Sequence, residues 1–382
     1  MSKLLKSLFF NKALLKATGM SRAGSLMKAS KLIQRSFLRS VASPLFRPAP
    51  AVRPSKAPAA KMRRAANDAV VDAPIRPQRV RVPEPVQRMR ESPNFPEKAF
   101  LFSGERYPYR LFIPSAPQGS EVASLSPMPL IVLLHGCKQN AQDFAHGTAM
   151  NALAEKHQCM VLYPQQIAKA NSQRCWNWFE PGHQRLGTGE PGMIAALTQQ
   201  VLSTTYNGRR TDPTRVYVAG LSAGGAMAAV VAGLYPDIFA AVGVHSGLAS
   251  GAAKNLVSAF SAMQRGAKGL ARPAVPTIVF HGSADKTVHP DNGTYISDAA
   301  LAALTASGLT LVKSSSKLGA ANEPSTERTV YRTADGPSYV EYWRVNNGPH
   351  AWSGGDAAGS YTDPDGPSAS AAMLAFFLQH KL

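Results

Sequence analysis

Beyond about residue 96 the apolar residues of this chain arrive in short dense runs, separated by stretches with helical spacing. KAFLFSGERYPYRLFIPS reads as a pair of early strands, and MPLIVLLHG as a strand buried on both faces. A helix is expected over roughly Gln142–His157, then a strand in CMVLYPQQ and a helix around Met193–Tyr206. Val216, Tyr217 and Val218 form the next β-branched and aromatic run, and Ala226 to Ala232 follow as a closely packed helix. AAVGVHSG, an insertion over about 249–273, VPTIVFHGSAD, a helix near 293–305, a polar loop over 309–337 and SYVEYWRVNNGPHAW come next. A last helix starts at about Ser368. Strands alternating with helices indicate a mostly parallel α/β sheet covered on both faces. In such sheets the functional groups stand just beyond the carboxyl ends of the strands.

The first quarter of the chain has a different rhythm. Leu4, Leu5, Leu8, Leu15, Leu26, Ile33, Phe37 and Val41 recur at helical spacing among lysines and arginines. This predicts a basic amphipathic helical segment over 1–43 that lies on an anionic or amphiphilic surface. Residues 44–95 are rich in Pro, Ala and Arg and read as a disordered linker, so the folded domain is expected over 96–382. Charge sharpens this division. The formal net charge of +19 would suit a nucleic-acid binder, but residues 1–90 hold 20 of the 42 basic side chains against three acids. The rest of the chain carries 22 basic and 20 acidic residues, so nucleic acid is not expected as the main partner. No apolar stretch reaches 18 residues, which predicts no membrane-spanning helix. A secretory signal is the competing reading of the front segment. Its apolar run Leu8-Phe9-Phe10 stops at Asn11 and Lys12, and no small-residue cleavage site follows.

The stretch VYVAGLSAGGAMAAVV holds the candidate chemistry, because Gly220-x-Ser222-x-Gly224 stands between a strand and a helix. A sharp turn there lifts one hydroxyl out of the sheet, and the glycines leave room for it. A serine hydroxyl needs a base to become a nucleophile, and the base needs a carboxylate to orient it. In this architecture they follow in the order Ser, acid, His. Of the histidines downstream, His380 falls in the last helix and His289 lies only four residues past the best acid. His350, in a glycine-bearing loop after a strand, is the candidate base. Among Asp237, Asp285, Asp291, Asp298 and Asp335, only Asp285 directly follows a strong buried run, which makes it the candidate acid. Two backbone N–H groups are needed for the tetrahedral oxyanion, and Ala223 and Cys137 are the expected donors.

LHGCKQNAQDFA, YPQQ, RCWNWF, DPTRVYVAGLSAGGAMA, HGSADKTVHP and GPHAWSGG, in this order, resemble the poly(3-hydroxybutyrate) depolymerase family of serine esterases. The resemblance covers about residues 96–382. It implies the α/β-hydrolase fold, with Ser222 as nucleophile, His350 as base and Asp285 as orienting acid, and it implies no cofactor. Hydrolysis of poly(3-hydroxybutyrate) or its oligomers through an acyl-enzyme is the expected activity. Secreted members carry a signal peptide and a polymer-binding module after the catalytic domain. Here 32 residues follow His350, and a basic segment stands at the front, so the chain resembles the intracellular members acting on storage granules. Cytoplasmic, granule-associated localisation through residues 1–43 is therefore expected, with secretion as the alternative.

Cys137 and Cys175 are paired as a disulfide by the resemblance, whereas a reducing cytoplasm would leave them as thiols. Cys159 opens a buried run and reads as a core residue; no cysteine spacing suggests a metal site. Trp176 and Trp178, with Phe179, are expected to form an apolar wall for the polyester, and Trp352 is a further candidate for substrate contact. Two other readings stay open. One is a feruloyl or acetyl xylan-type carbohydrate esterase, which shares the serine turn and fold. The other is a surface- or nucleic-acid-binding adaptor working through residues 1–90.

Overall fold

Strand β3 (Met128–Leu134) begins the parallel part of the sheet, and every one of its residues is buried. Its side chains alternate between two apolar layers. Leu130, Val132 and Leu134 join one layer, and Ile131 and Leu133 join the other, as the period-two geometry of a strand requires. From β3 the chain turns to β4 (Met160–Pro164) on one side, and later to β5 (Thr211–Leu221) on the other. Strands β6 (Ala241–His245), β7 (Thr277–Gly282) and β10 (Ser338–Val345) continue outward from β5, each parallel to its neighbour. The antiparallel strands β1 (Glu97–Phe102) and β2 (Glu105–Phe112) extend one edge. β8 (Val312–Leu318) and β9 (Thr326–Arg332) extend the other, completing ten strands in the order β1-β2-β4-β3-β5-β6-β7-β10-β9-β8. This computed structural model describes residues 95–119, 126–272, 274–319 and 325–382. The segment expected at 1–43 and the linker expected at 44–95 lie outside the described residues, apart from Phe95. Phe95 is buried edge-on against Tyr163 and belongs to the folded body.

Helices cover both faces. Helix α3 (Gly189–Ser203) and helix α4 (Ala223–Leu234) turn Met193, Ile194, Leu197, Met227, Val230 and Val231 onto the first layer. The second layer receives Phe144 of α1 (Ala141–Thr148), Met150 of α2 (Met150–His157), and Met373, Phe376 and Phe377 of α7 (Ala369–Phe377). Each fully buried side chain of this size contributes about 1.5–3 kcal/mol relative to exposure. The covering on both faces explains why β3, β4, β6 and β7 read as unbroken apolar runs rather than alternating ones.

Three expectations change. The helix over 142–157 is two helices, because Ala149 takes a left-handed φ of 50° and ends the first. The insertion over 249–273 contains α5 (Leu256–Arg265), started by a capping box between Asn255 and Ser258. The polar loop over 309–337 is largely the β8–β9 hairpin. β8 (VKSSSKL) is exposed at every position, so burial imposes no apolar alternation that could announce it as a strand. α6 (Asp291–Ala306) packs against β7 and β10 and adds Ile296 to the first layer.

The path from β3 to both sides makes a switch point between the carboxyl ends of β3 and β5, where α/β sheets bind their ligands. The two ends pass so closely that side chains are excluded. A Cβ on Gly224 would lie 2.1 Å from the carbonyl oxygen of Leu134, and one on Gly220 would lie 2.4 Å from the backbone of Gly224. Between them Ser222 sits at φ 58°, ψ −120°, a conformation that costs a non-glycine residue on the order of 1–3 kcal/mol. Gly224→Ala is accordingly expected to destabilise the fold by about 3 kcal/mol or more, since the added carbon meets backbone that cannot rotate away. Gly182→Ala, where nothing lies within 4 Å of the new Cβ, is expected to change stability by less than about 0.5 kcal/mol. Urea unfolding of the two variants checks the contrast.

Candidate active site

Ser222 stands between the last residue of β5 and the first of α4, as the N-cap of that helix. Its amide donates to the carbonyl of His245 at 2.9 Å, which ties the turn to the end of β6. Its Oγ lies 2.9 Å from Nε2 of His350, and Nδ1 of His350 lies 2.7 Å from Oδ2 of Asp285. Topology explains the meeting. β7 and β10 are parallel neighbours, so the loops leaving them run side by side. The Ala284 amide donates to the carbonyl of Gly348, and the Asn347 amide donates to the hydroxyl of Ser283. Gly282 and Gly348 approach so closely that a Cβ on Gly282 would lie 2.2 Å from the Gly348 oxygen.

The Asp285 carboxylate is fully shielded from solvent. Burial by itself would raise its pKa. Hydrogen bonds from His281 and His350, the charge of His350 and the amide of Val288 outweigh this and hold the carboxyl well below the usual range. The amides of Thr287 and Val288 each donate to Oδ1 at 2.8 Å, leaving Oδ2 for the histidines. Nε2 of His281 stands 3.0 Å from the carbonyl of Val288 and 3.5 Å from Oδ2. The arrangement can pass a proton from the Ser222 hydroxyl to His350 while an ionised Asp285 stabilises the imidazolium.

The loop after β3 lies against this serine. A Cβ on Gly136 would stand 3.5 Å from the carbonyl oxygen of Leu221 and 3.7 Å from Cβ of Ser222. Cys137 follows at once, and Ala223, as the first residue of α4, has an amide with no acceptor inside its helix. Cys137 is joined to Cys175 by a disulfide. The segment that carries Cys175 holds the loop at further points. The amide of Lys138 donates to the carbonyl of Gln173, Nε1 of Trp176 donates to the carbonyl of His135, and the amide of Gln166 donates to Nε2 of His135. Glu190 is the anchor below. Its buried carboxylate accepts from the Gln166 side chain and from the amide and side chain of Asn177. Burial raises its pKa against the opposing pull of His183, Asn177 and Gln166.

All three tryptophan expectations require correction. Trp176 and Trp352 are wholly buried at 0% and 1% exposure, and Trp178 at 3%. Trp176 braces the loop after β3 from within the first apolar layer. Trp178 packs edge-on to Phe179 in that same layer. Trp352 is wedged between Phe144 and His245 in the second layer, with its Nε1 donating to Ser370. Large rings beside the site gain more by filling the core than by facing solvent, so none of the three forms a cleft wall. Residues that sequence reasoning passed over include His135, Gln166, Glu190, His245 and His281. For the histidines and Gln166 the one signal was a polar side chain ending an apolar run, as in AAVGVHSG; Glu190, in GTGEPG, had none.

A mostly parallel sheet, a serine on a strained strand-to-helix turn at its switch point, and an acid and a histidine on the next loops define an α/β-hydrolase. The family described as Esterase PHB depolymerase matches residues 108–327. The chain belongs to that family. It is 37% identical over 179 residues to the poly(3-hydroxyalkanoate) depolymerase C of Paucimonas lemoignei, covering 43% of this chain and 42% of that protein. Feruloyl esterase B of Thermothelomyces thermophilus is 36% identical over 148 residues, covering 38% of this chain and 49% of that protein. The chain thus spans about half the length, or less, of these curated relatives. A solved acetyl xylan esterase from Aspergillus awamori superposes with a TM-score of 0.49 at 20% identity, covering 64% of this chain and 89% of that one. Among the described residues no helix is long and apolar enough to cross a membrane.

The buried histidines around the site make stability depend on pH. Burial pushes His135 down to about 4 and His245 down to about 3, against about 6.5 in an unfolded chain. Between these values the unfolded state binds protons that the native state refuses, so stability falls as pH drops below about 6.5. His380, lowered by burial, acts in the same direction, and Glu190, raised by burial, acts against it. Near pH 5 a net uptake of about one to two protons per chain unfolded is expected, a slope of about 1.4–2.7 kcal/mol per pH unit. Denaturant titrations from pH 7 to 4.5 measure it, and a flat profile would contradict this account of the site.

Proposed function

We propose that this chain is a serine esterase that hydrolyses a polyhydroxyalkanoate, poly(3-hydroxybutyrate) or its oligomers. The observation that carries the reading is the continuous hydrogen-bonded line from Ser222 Oγ through His350 to Asp285. His350 takes the serine proton as Oγ bonds to the ester carbonyl carbon, and the carbonyl oxygen becomes an oxyanion held by the amides of Cys137 and Ala223. The oxyanion collapses, the alkoxide of the shortened chain leaves, and it receives its proton from His350. Water, deprotonated by His350, then attacks the acyl carbon to give a second oxyanion; its collapse breaks the bond to Ser222 Oγ, which takes the proton back from His350 as the 3-hydroxyacid end leaves. Asp285 holds one tautomer of His350 throughout.

A specific observation favours a second reading. Identity to feruloyl esterase B, 36% over 148 residues, is close to the 37% over 179 residues shared with the depolymerase, so an ester of a plant polysaccharide is the alternative substrate. Amorphous poly(3-hydroxybutyrate) granules and feruloylated xylan, offered side by side, separate the two, whereas small soluble esters do not. The proposed location is the granule surface, reached through the basic segment 1–43. The Cys137–Cys175 disulfide favours the alternative, export, because such bonds persist in oxidising compartments.

Ser222→Ala and His350→Ala are expected to lower ester turnover by several orders of magnitude while the fold is kept, with a residual enhancement of about 10³–10⁴ over water. Asp285→Asn is expected to cost a large part of the rate because an amide cannot stabilise the imidazolium. Turnover of a chromogenic butyrate ester checks all three, and activity within tenfold of wild type would refute the triad. Deletion of residues 1–90 is expected to spare soluble-ester turnover but to weaken granule binding. Each Lys or Arg near an anionic surface adds about 1 kcal/mol. Co-sedimentation at low and high salt reads this; equal binding by the full and shortened chains removes the proposed role of the segment.

A further inference from the structure

Gln139 lies two residues past Cys137 and is 1% exposed. Its side-chain oxygen accepts the Gly136 amide at 2.9 Å, while its own amide returns to the Gly136 carbonyl at 3.3 Å. The turn from 136 to 139 is therefore closed by both side chain and main chain. The side-chain nitrogen points the other way, donating to the Ser360 carbonyl at 2.9 Å and reaching Oδ2 of Asp143 at 3.2 Å. The orientation of this amide is dictated by its partners, since the Gly136 N–H can only donate and the Ser360 carbonyl can only accept. Asp143 completes the clamp by accepting both the amide and the hydroxyl of Ser360.

Ser360 is not a remote anchor. The next residue, Tyr361, accepts the amide of Trp352 at 2.7 Å, and Trp352 stands two residues after His350. One buried amide thus spans two segments: the turn that contains Cys137, and the segment that follows His350. Occupation of the Gly136 amide also leaves the Cys137 amide as the next donor of the turn. Among the described residues it has no hydrogen-bond acceptor.

We propose that Gln139 is a positioning residue for the oxyanion site, fixing the direction of the Cys137 amide relative to Ser222 and tying it to the segment of His350. This rests on the esterase reading. Loss of the bridge leaves both reacting side chains in place but frees the turn, so it weakens the transition state more than the bound ester. Both acylation and deacylation pass through an oxyanion, so kcat reports the defect whichever step is slower.

The experiment compares wild type, Ser222→Ala, Gln139→Met and Asp143→Ala with a chromogenic butyrate ester. Inhibition by an alkyl trifluoromethyl ketone is measured in parallel, because its adduct with serine carries an oxyanion. Gln139→Met is expected to lower kcat about 10–100-fold, up to the loss seen on removing one oxyanion donor. KM should stay within about twofold, and inhibition by the ketone should weaken by the same factor as kcat. Asp143→Ala, which opens the clamp at Ser360 and removes one acceptor of the Gln139 nitrogen while leaving the Gln139–Gly136 bond in place, is expected to move kcat and ketone affinity together by a smaller factor. It carries the test alone if Gln139→Met does not fold. Unchanged kcat and ketone inhibition in the folded variants would overturn the proposal, whatever their melting temperatures. So would a fall in kcat without a matching loss of ketone affinity. If Ser222→Ala itself retains wild-type turnover, the esterase reading fails first, and that outcome is distinct from a failure confined to Gln139.

Discussion

The contact between the carboxyl ends of β3 and β5 governs the rest of the site. Backbone meets backbone there, because Gly220 and Gly224 carry no Cβ that would collide with Leu134 and the turn itself. Two things follow from that one approach. The turn can hold Ser222 in a conformation that an ordinary turn would not tolerate, and the loop after β3 comes to lie against the serine. The Ser222 hydroxyl and the loop that carries Cys137 are thus set by the same steric fact. The strain at Ser222 is borne by the buried strands on either side, which cannot shift without opening the two apolar layers.

Around this contact the structure solves a problem of polar burial. His135, Gln139, Gln166, Glu190, His245, His281 and Asp285 all sit inside, and an unpaired buried polar group costs about 1–3 kcal/mol. Each is met by main-chain groups of the loops it fastens. His245, for example, accepts the amide of Ser353 and stacks between Phe280 and Trp352. These side chains act as the internal framework of loops that have little regular structure of their own. The Nδ1 atom of His281 is an exception, buried with no partner among the described residues.

Much of this was legible in the sequence for definite reasons. Buried parallel strands announce themselves as apolar runs, and the order of serine, acid and histidine left few candidates at strand ends. The place of Asp285 just beyond a strand end was legible because VPTIVFHG points straight to it. The β8–β9 hairpin was illegible, since VKSSSKL lies exposed on an edge and satisfies its backbone without burying anything. The tryptophans were misread for the opposite reason. Proximity to the site in sequence says nothing about which way a ring turns, and burial claimed all three. The roles of Gln139 and Glu190 depend on partners up to 221 residues away, a distance over which a single sequence carries no pairing information. The basic front segment lies beyond what the described residues address.

The spacing of the reacting groups along the chain has a consequence for how the molecule comes into being. His350 meets Ser222 across 128 residues and Asp285 across 65. Those contacts form only after β5, β6, β7 and β10 have joined in parallel, through crossovers that are slow to close. A nascent or half-folded chain therefore carries a serine no more reactive than any other hydroxyl. The proposed reactivity would arrive late, as a by-product of the completed sheet, and a molecule that fails to finish folding would never acquire it.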